Sequence, residues 1–178
     1  MMHRIKIISL LLFIALALFG YGLPEHLQKK VGKEIEKVFG SSTIVMNAIK
    51  VSVVDNAELP TKITTDNFFK LEKGTEFLGY IYVGNAPSKT ATFDYLVVFD
   101  TDLTVIHSKI LIYREEYGGE IGSKRWLQQF IGKTSSDRVD HNSNIDGISG
   151  ATISVRSMTM AMDNLLQTIA ILKNKNLL

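Results

Sequence analysis

Apolar residues recur at helical spacing at two ends of the chain and alternate with polar ones in between. Over residues 24–39, Leu27, Val31, Ile35 and Val38 fall three or four positions apart, with Lys29, Lys30, Lys33 and Glu34 between them. This predicts a helix with one apolar stripe, stopped at Gly40-Ser41-Ser42. Residues 43–54 are rich in β-branched side chains and read as a strand, followed by a loop over 56–60. Residues 66–72 read as a short helix, with Asp66 as N-cap and Gly74 at its exit. Phe77–Val83 reads as a strand and Asn85–Ser88 as a turn, because Pro87 cannot donate to a ladder. Phe93, Tyr95, Val97 and Phe99 alternate, and after Asp100-Thr101-Asp102 the residues 103–114 return, which predicts a hairpin over 92–114. Residues 124–131 read as a short helix with Trp126, Leu127, Phe130 and Ile131 on one side; 132–148 are polar and turn-rich. From Ser154 to about Lys173, the residues Val155, Met158, Met162, Leu165, Ile169 and Leu172 make an apolar core stripe, opposite Arg156, Thr159, Asp163 and Gln167. Ser154 or Ser149 is the expected cap of that last helix. Strands joined by short turns, with helices before and after, predict an α+β fold: a mainly antiparallel sheet flanked by helices.

The first residues follow a different pattern. Met1 to Lys6 form a short basic region, and Ile7–Phe19 is apolar except for Ser9. This is the layout of a signal sequence or an N-terminal membrane anchor. Counted from Ile7 to Leu23 the segment is 17 residues, at the lower edge of what crosses a bilayer. Gly20 and Gly22 leave cleavage open; the favoured reading is an uncleaved anchor. Arg4 and Lys6 then stay on the cytoplasmic side and the remainder lies outside. The expected organisation is a signal or anchor over 1–23 and one domain over 24–178.

Charge and composition narrow the function. The chain has 178 residues, 20 Lys+Arg and 18 Asp+Glu; without Arg4 and Lys6 the two signs balance. A neutral domain with no basic stripe is not expected to bind nucleic acid. With no cysteine there is no disulfide, thiolate metal site, cysteine nucleophile or lipid-acylated cysteine. His3, His26, His107 and His141 show no metal-ligand spacing, so no metal site is expected. No nucleophile elbow, phosphate-binding loop or dinucleotide fingerprint is present.

Two stretches are not explained by packing alone. In Arg114-Glu-Glu-Tyr-Gly-Gly-Glu-Ile-Gly122, the glycines permit positive φ and close backbone approach to a flat or bulky group. Asp146-Gly-Ile-Ser-Gly-Ala-Thr-Ile-Ser154 surrounds the Thr152 hydroxyl with very small residues, just before a helix N-terminus that favours phosphate. Read from composition alone, the favoured reading of this second stretch is a loop with a serine N-cap.

The nine residues 146–154 resemble the flavinylation motif of the FMN-binding domain family. That family includes the G subunit of Rnf electron-transport complexes and the C subunit of the sodium-pumping NADH:quinone oxidoreductase. The glycine-rich stretch and the Trp126…Phe130…Gly132-Lys133 block resemble a second region of the family. Here, however, Tyr117 stands in a block that in many relatives reads Glu-Thr-Pro-Gly-Leu-Gly. The resemblance spans about 75–170. It implies that Thr152 is the acceptor of FMN through a phosphoester, installed by a flavin transferase from FAD with Mg2+. It implies that Gly150 and Ala151 give access and that Asp146, Gly147, Ser149 and Ser154 shape the loop. Gly118, Gly119, Ile121, Trp126 and Phe130 become candidates for lining the isoalloxazine; Trp126 and the Met158/Met162 stripe also have a core reading. No catalytic residue is expected.

The implied protein is a membrane-associated, extracytoplasmic electron carrier, or a subunit of an oxidoreductase system rather than a stand-alone enzyme. Its electron donor and acceptor would be other proteins or a quinone. The alternative is a non-enzymatic scaffold or sensor module with loosely held FMN or none.

Overall fold

A computed structural model describes residues 22–178. Its elements are α1 (Glu25–Phe39), β1 (Val45–Ala48), α2 (Val53–Glu58), β2 (Phe68–Lys73), β3 (Glu76–Pro87), β4 (Thr92–Phe99), β5 (Val105–Tyr113), α3 (Lys124–Leu127) and α4 (Thr152–Asn174). The short 3-10 turns Gly119–Gly122 and Gln128–Phe130 flank α3. The five strands form one sheet in the order β1-β2-β3-β4-β5, with every neighbouring pair antiparallel. The α+β expectation and the 92–114 hairpin are borne out. The leader or anchor reading falls almost wholly outside the described residues; Leu23, its last residue, is buried. Among the described residues, no helix is long and apolar enough to cross a membrane.

The sheet is covered on both faces, and strand alternation sorts its side chains between two cores. Phe68, Tyr80, Tyr82, Tyr95 and Val97 face α4, against Val155, Met158, Met162, Leu165, Leu166 and Ile169. Phe69, Ile81, Val83, Leu96 and Val98 face α1, against Leu27, Val31 and Ile35. Full burial of each such side chain contributes about 1.5–3 kcal/mol. The two layers are fastened by polar contacts: His107 Nε2 on β5 lies 3.2 Å from Glu34 on α1.

Several expected elements are corrected. The stretch 66–72 is strand β2, which pairs with both β1 and β3. Gly74, expected at a helix exit, has φ 61° and makes the tight turn into β3. The strand expected over 43–54 is only Val45–Ala48, and Val53-Val54 open helix α2, which Ser52 caps by accepting from Asp55 N–H at 3.1 Å. Asn85 to Pro87, expected as a turn, continue β3, with Pro87 opposite Thr92 as the last pair. Helix α4 starts at Thr152, and neither Ser149 nor Ser154 caps it.

The polar side of α4 is only partly solvated: Arg156 is exposed, but the rest is wholly or partly covered. The 132–148 segment lies over it, and Thr159 and Asp163 are buried. Asp163 accepts two bonds from Arg138 Nε and Nη2, at 2.8 and 2.7 Å, and one from Val139 N–H at 3.1 Å. Arg138 chiefly holds the Asp163 carboxyl below its ordinary range. The lowered value means that this stabilisation is complete above the unfolded carboxylate's titration and is lost as pH falls through the folded one. Asp163→Asn is expected to cost about 1–3 kcal/mol, the loss of charge-assisted bonds at a buried site. Urea titrations at neutral pH and near pH 3 check this, and the gap between wild type and variant is expected to narrow at the acid end.

Candidate functional site

The two unexplained stretches meet at the end of β5 beside the first turn of α4. Tyr113, the last residue of β5, extends its hydroxyl 3.0 Å from the Tyr117 carbonyl and 3.0 Å from Ser154 Oγ. One phenol thus joins the glycine-rich strap 114–119 to the helix that begins at Thr152. Gly118 has φ 82°, and a Cβ built on it would lie 2.8 Å from Tyr113 Oη and 3.0 Å from Ala151 Cβ. Gly118 and Ala151 are therefore small because each occupies the space a larger neighbour would need.

The strap is fixed at its start as well. The Arg114 guanidinium pairs with Asp94 across the β4/β5 edge. Glu115 accepts from Thr90 N–H at 2.6 Å, Ser88 Oγ at 2.7 Å, Thr90 Oγ1 at 2.8 Å and Ala91 N–H at 3.0 Å. These bonds, led by the Thr90 amide, lower its pKa from 4.5 to about 2. The contribution to stability is complete above pH 4.5 and falls away toward pH 2. Glu115→Gln is expected to flatten this part of the stability–pH profile, measured by urea unfolding at a series of acid pH values.

A cavity of about 890 Å³ opens beside this junction, lined by Lys89, Thr90, Tyr113–Tyr117 and Gly150–Ser154. Its size suits a cofactor or small ligand. Thr152 is exposed on its wall at the first position of α4, and no side chain caps the N-terminus of this 23-residue helix. Gly150 has φ 81° and open space where a side chain would stand. Lys89 is exposed, with no ion-pair partner among the described residues. Uncapped amides, an accessible hydroxyl and an unpaired ammonium together fit a phosphate ester and its charge.

The other residues singled out in the sequence fall elsewhere. Trp126 is buried and donates from Nε1 to the Asp146 carbonyl at 2.8 Å; Gln129 Oε1 accepts from Asp146 N–H at 2.7 Å. These contacts anchor the far end of the 146–152 loop. Gly147 and Ser149 are exposed along that loop, while Ser154 is buried and tied to Tyr113. Ile121 and Phe130 are wholly buried, Phe130 against Trp126 with ring centres 5.3 Å apart, and neither lines the cavity. Gly119 is exposed near the Tyr113 ring. Among the described residues, no three His, Asp or Glu side chains gather as a metal site would require.

Sequence reasoning missed Lys89, Thr90 and Tyr113 as part of the wall. The available signal was positional: Lys89 and Thr90 lie in the β3–β4 turn, and Tyr113 ends the hairpin's return strand.

No curated protein matches the chain. Residues 90–167 match the family model described as the FMN-binding domain. That span holds the strap, the Tyr113 bridge and the whole Asp146–Ser154 loop, and the match agrees with the resemblance carried by the motif.

Proposed function

We propose that the chain is a membrane-associated, extracytoplasmic electron carrier that holds FMN covalently on Thr152. The observation that carries this reading is the Thr152 hydroxyl: exposed, at an uncapped helix N-terminus, on the wall of a cavity of about 890 Å³, and inside the span that matches the FMN-binding domain family. The basic residues Arg4 and Lys6 before the Ile7–Phe19 run support export and anchoring.

In maturation, Thr152 Oγ bonds to the phosphorus on the riboflavin side of FAD. The pyrophosphate P–O bond breaks, AMP leaves and the hydroxyl proton is released; a flavin transferase with Mg2+ is the required partner. Bound FMN supplies one- and two-electron transfer. The protein's own residues do the holding. The first amides of α4 and Lys89 would hold the phosphoester charge, Gly150 leaves the approach to Thr152 open, and Tyr113 fixes the strap against the helix. The electron donor and acceptor are other redox proteins or a quinone.

The test is to express the exported chain with an active flavin transferase and to denature it. Flavin is expected to remain on the polypeptide, with an intact mass raised by FMN less one water and the added mass on the peptide containing Thr152. A chain that emerges without flavin, while another substrate in the same cells is loaded, would replace this reading with the scaffold or sensor.

A further inference from the structure

Within the strap, the side chains have distinct tasks. Tyr113 bonds to Ser154 and to the Tyr117 carbonyl, Arg114 pairs with Asp94, and Glu115 is consumed by the 88–91 turn. Gly118 has no room for a side chain. Tyr117 differs from all of these. Its carbonyl accepts from the Tyr113 hydroxyl at 3.0 Å, and Gly118, which follows, sits so close to Ala151 that a Cβ there would lie 3.0 Å from the Ala151 Cβ. Its ring is 79% exposed and lies on the cavity wall with Thr152.

We propose that Tyr117 is the stacking platform for the isoalloxazine ring. The inference rests on the covalent-FMN reading and deepens it by naming the side chain that meets the ring. A Cβ built on Gly118, immediately after Tyr117, would lie 3.0 Å from the Cβ of Ala151, immediately before Thr152, so the phenol and the Thr152 hydroxyl are presented from adjoining points of one wall. A rigid backbone carrying an exposed aromatic ring gives a flat ligand a partner with little ordering cost. Offset stacking suits the complementary quadrupoles of the two ring systems. The buried aromatics singled out in the sequence, Trp126 and Phe130, would have to leave the core to do the same.

A phenol in contact with an excited flavin donates an electron to it and takes the electron back without light emission. Stacking is therefore read as quenched flavin fluorescence. In the loaded chain, Tyr117→Ala is expected to raise the fluorescence yield several-fold and to weaken the visible circular dichroism of the flavin. Tyr117→Trp is expected to stay quenched. Retained flavin with unchanged fluorescence and dichroism in Tyr117→Ala overturns the platform while leaving the covalent attachment standing.

If the wild-type chain retains no flavin, the attachment reading fails. The platform is then decided by titrating free FMN into the full chain. Quenching that requires Tyr117 supports it, and absence of such quenching overturns it. Because Tyr117 is exposed, thermal unfolding of the variants is expected to match wild type, which separates loss of stacking from loss of fold.

Discussion

Thr152→Ala is expected to leave no flavin on the denatured chain, whereas Thr152→Ser is expected to keep it. The argument is chemical. A phosphoester needs an oxygen nucleophile; serine supplies the same Oγ and alanine none. The change touches little else. Thr152 is exposed, accepts no capping role and begins a helix in which alanine has the higher propensity. Its effect on stability is expected to stay within about 0.5 kcal/mol, so loss of flavin cannot be ascribed to unfolding. The two serines of the same loop, Ser149 and Ser154, distinguish the outcomes. Ser154 is buried and engaged by Tyr113, so a transferase cannot reach it in this conformation. Ser149 is exposed three residues upstream. Flavin kept by Thr152→Ala but lost in Ser149→Ala would move the acceptor to Ser149. Intact mass of the denatured variants, each co-expressed with the transferase, decides among these results.

The candidate loop stood out in the sequence because its information is local. Asp146–Ser154 is contiguous, and small residues around one hydroxyl before a helix are visible without a fold. The wall opposite did not, because Lys89 and Tyr113 reach it only through the β3–β4 turn and the β4–β5 pairing. The errors in the fold share a cause with the sheet's burial. In β2, Phe68 enters the α4 core and Phe69 the α1 core, so the strand opens on two adjacent apolar residues, and only Leu71 among the charged Lys70, Glu72 and Lys73 continues the apolar pattern. Flanked by Asp66 and Gly74, such a pattern imitates a capped helix. Val53 and Val54 mislead in the other direction. Their branching suggests a strand, yet both are exposed, and the Ser52 cap holds a short helix in place of a ladder. The last helix read correctly along its apolar stripe and incorrectly opposite it, because Asp163 is buried by a long-range pair with Arg138 that no periodicity displays.

Gly118→Ala is expected to cost about 2–3 kcal/mol and to slow flavin loading severely, since it strikes the contact that holds the strap against the Thr152 loop. Two effects add. At φ 82° an L side chain is strained, a penalty of about 1–2 kcal/mol. The new Cβ would also lie 2.8 Å from Tyr113 Oη and 3.0 Å from Ala151 Cβ. Relief by movement is limited, because Tyr113 is tied to Ser154 and Tyr117, and Ala151 immediately precedes α4. The two effects separate in a double-mutant cycle with Tyr113→Phe, which removes the atom that the new methyl meets first. On its own Tyr113→Phe loses its hydroxyl contacts and is expected to cost about 1 kcal/mol. Combined with Gly118→Ala it is expected to cost less than the sum, by the share that overlap contributes. Strict additivity would assign the whole penalty to φ and to the overlap with Ala151. Flavin loading, followed by mass over time at a temperature where every variant is folded, is expected to recover in the double variant in step with stability. Such parallel recovery would identify the Gly118–Tyr113–Ser154 junction as the structure that presents Thr152 to the transferase.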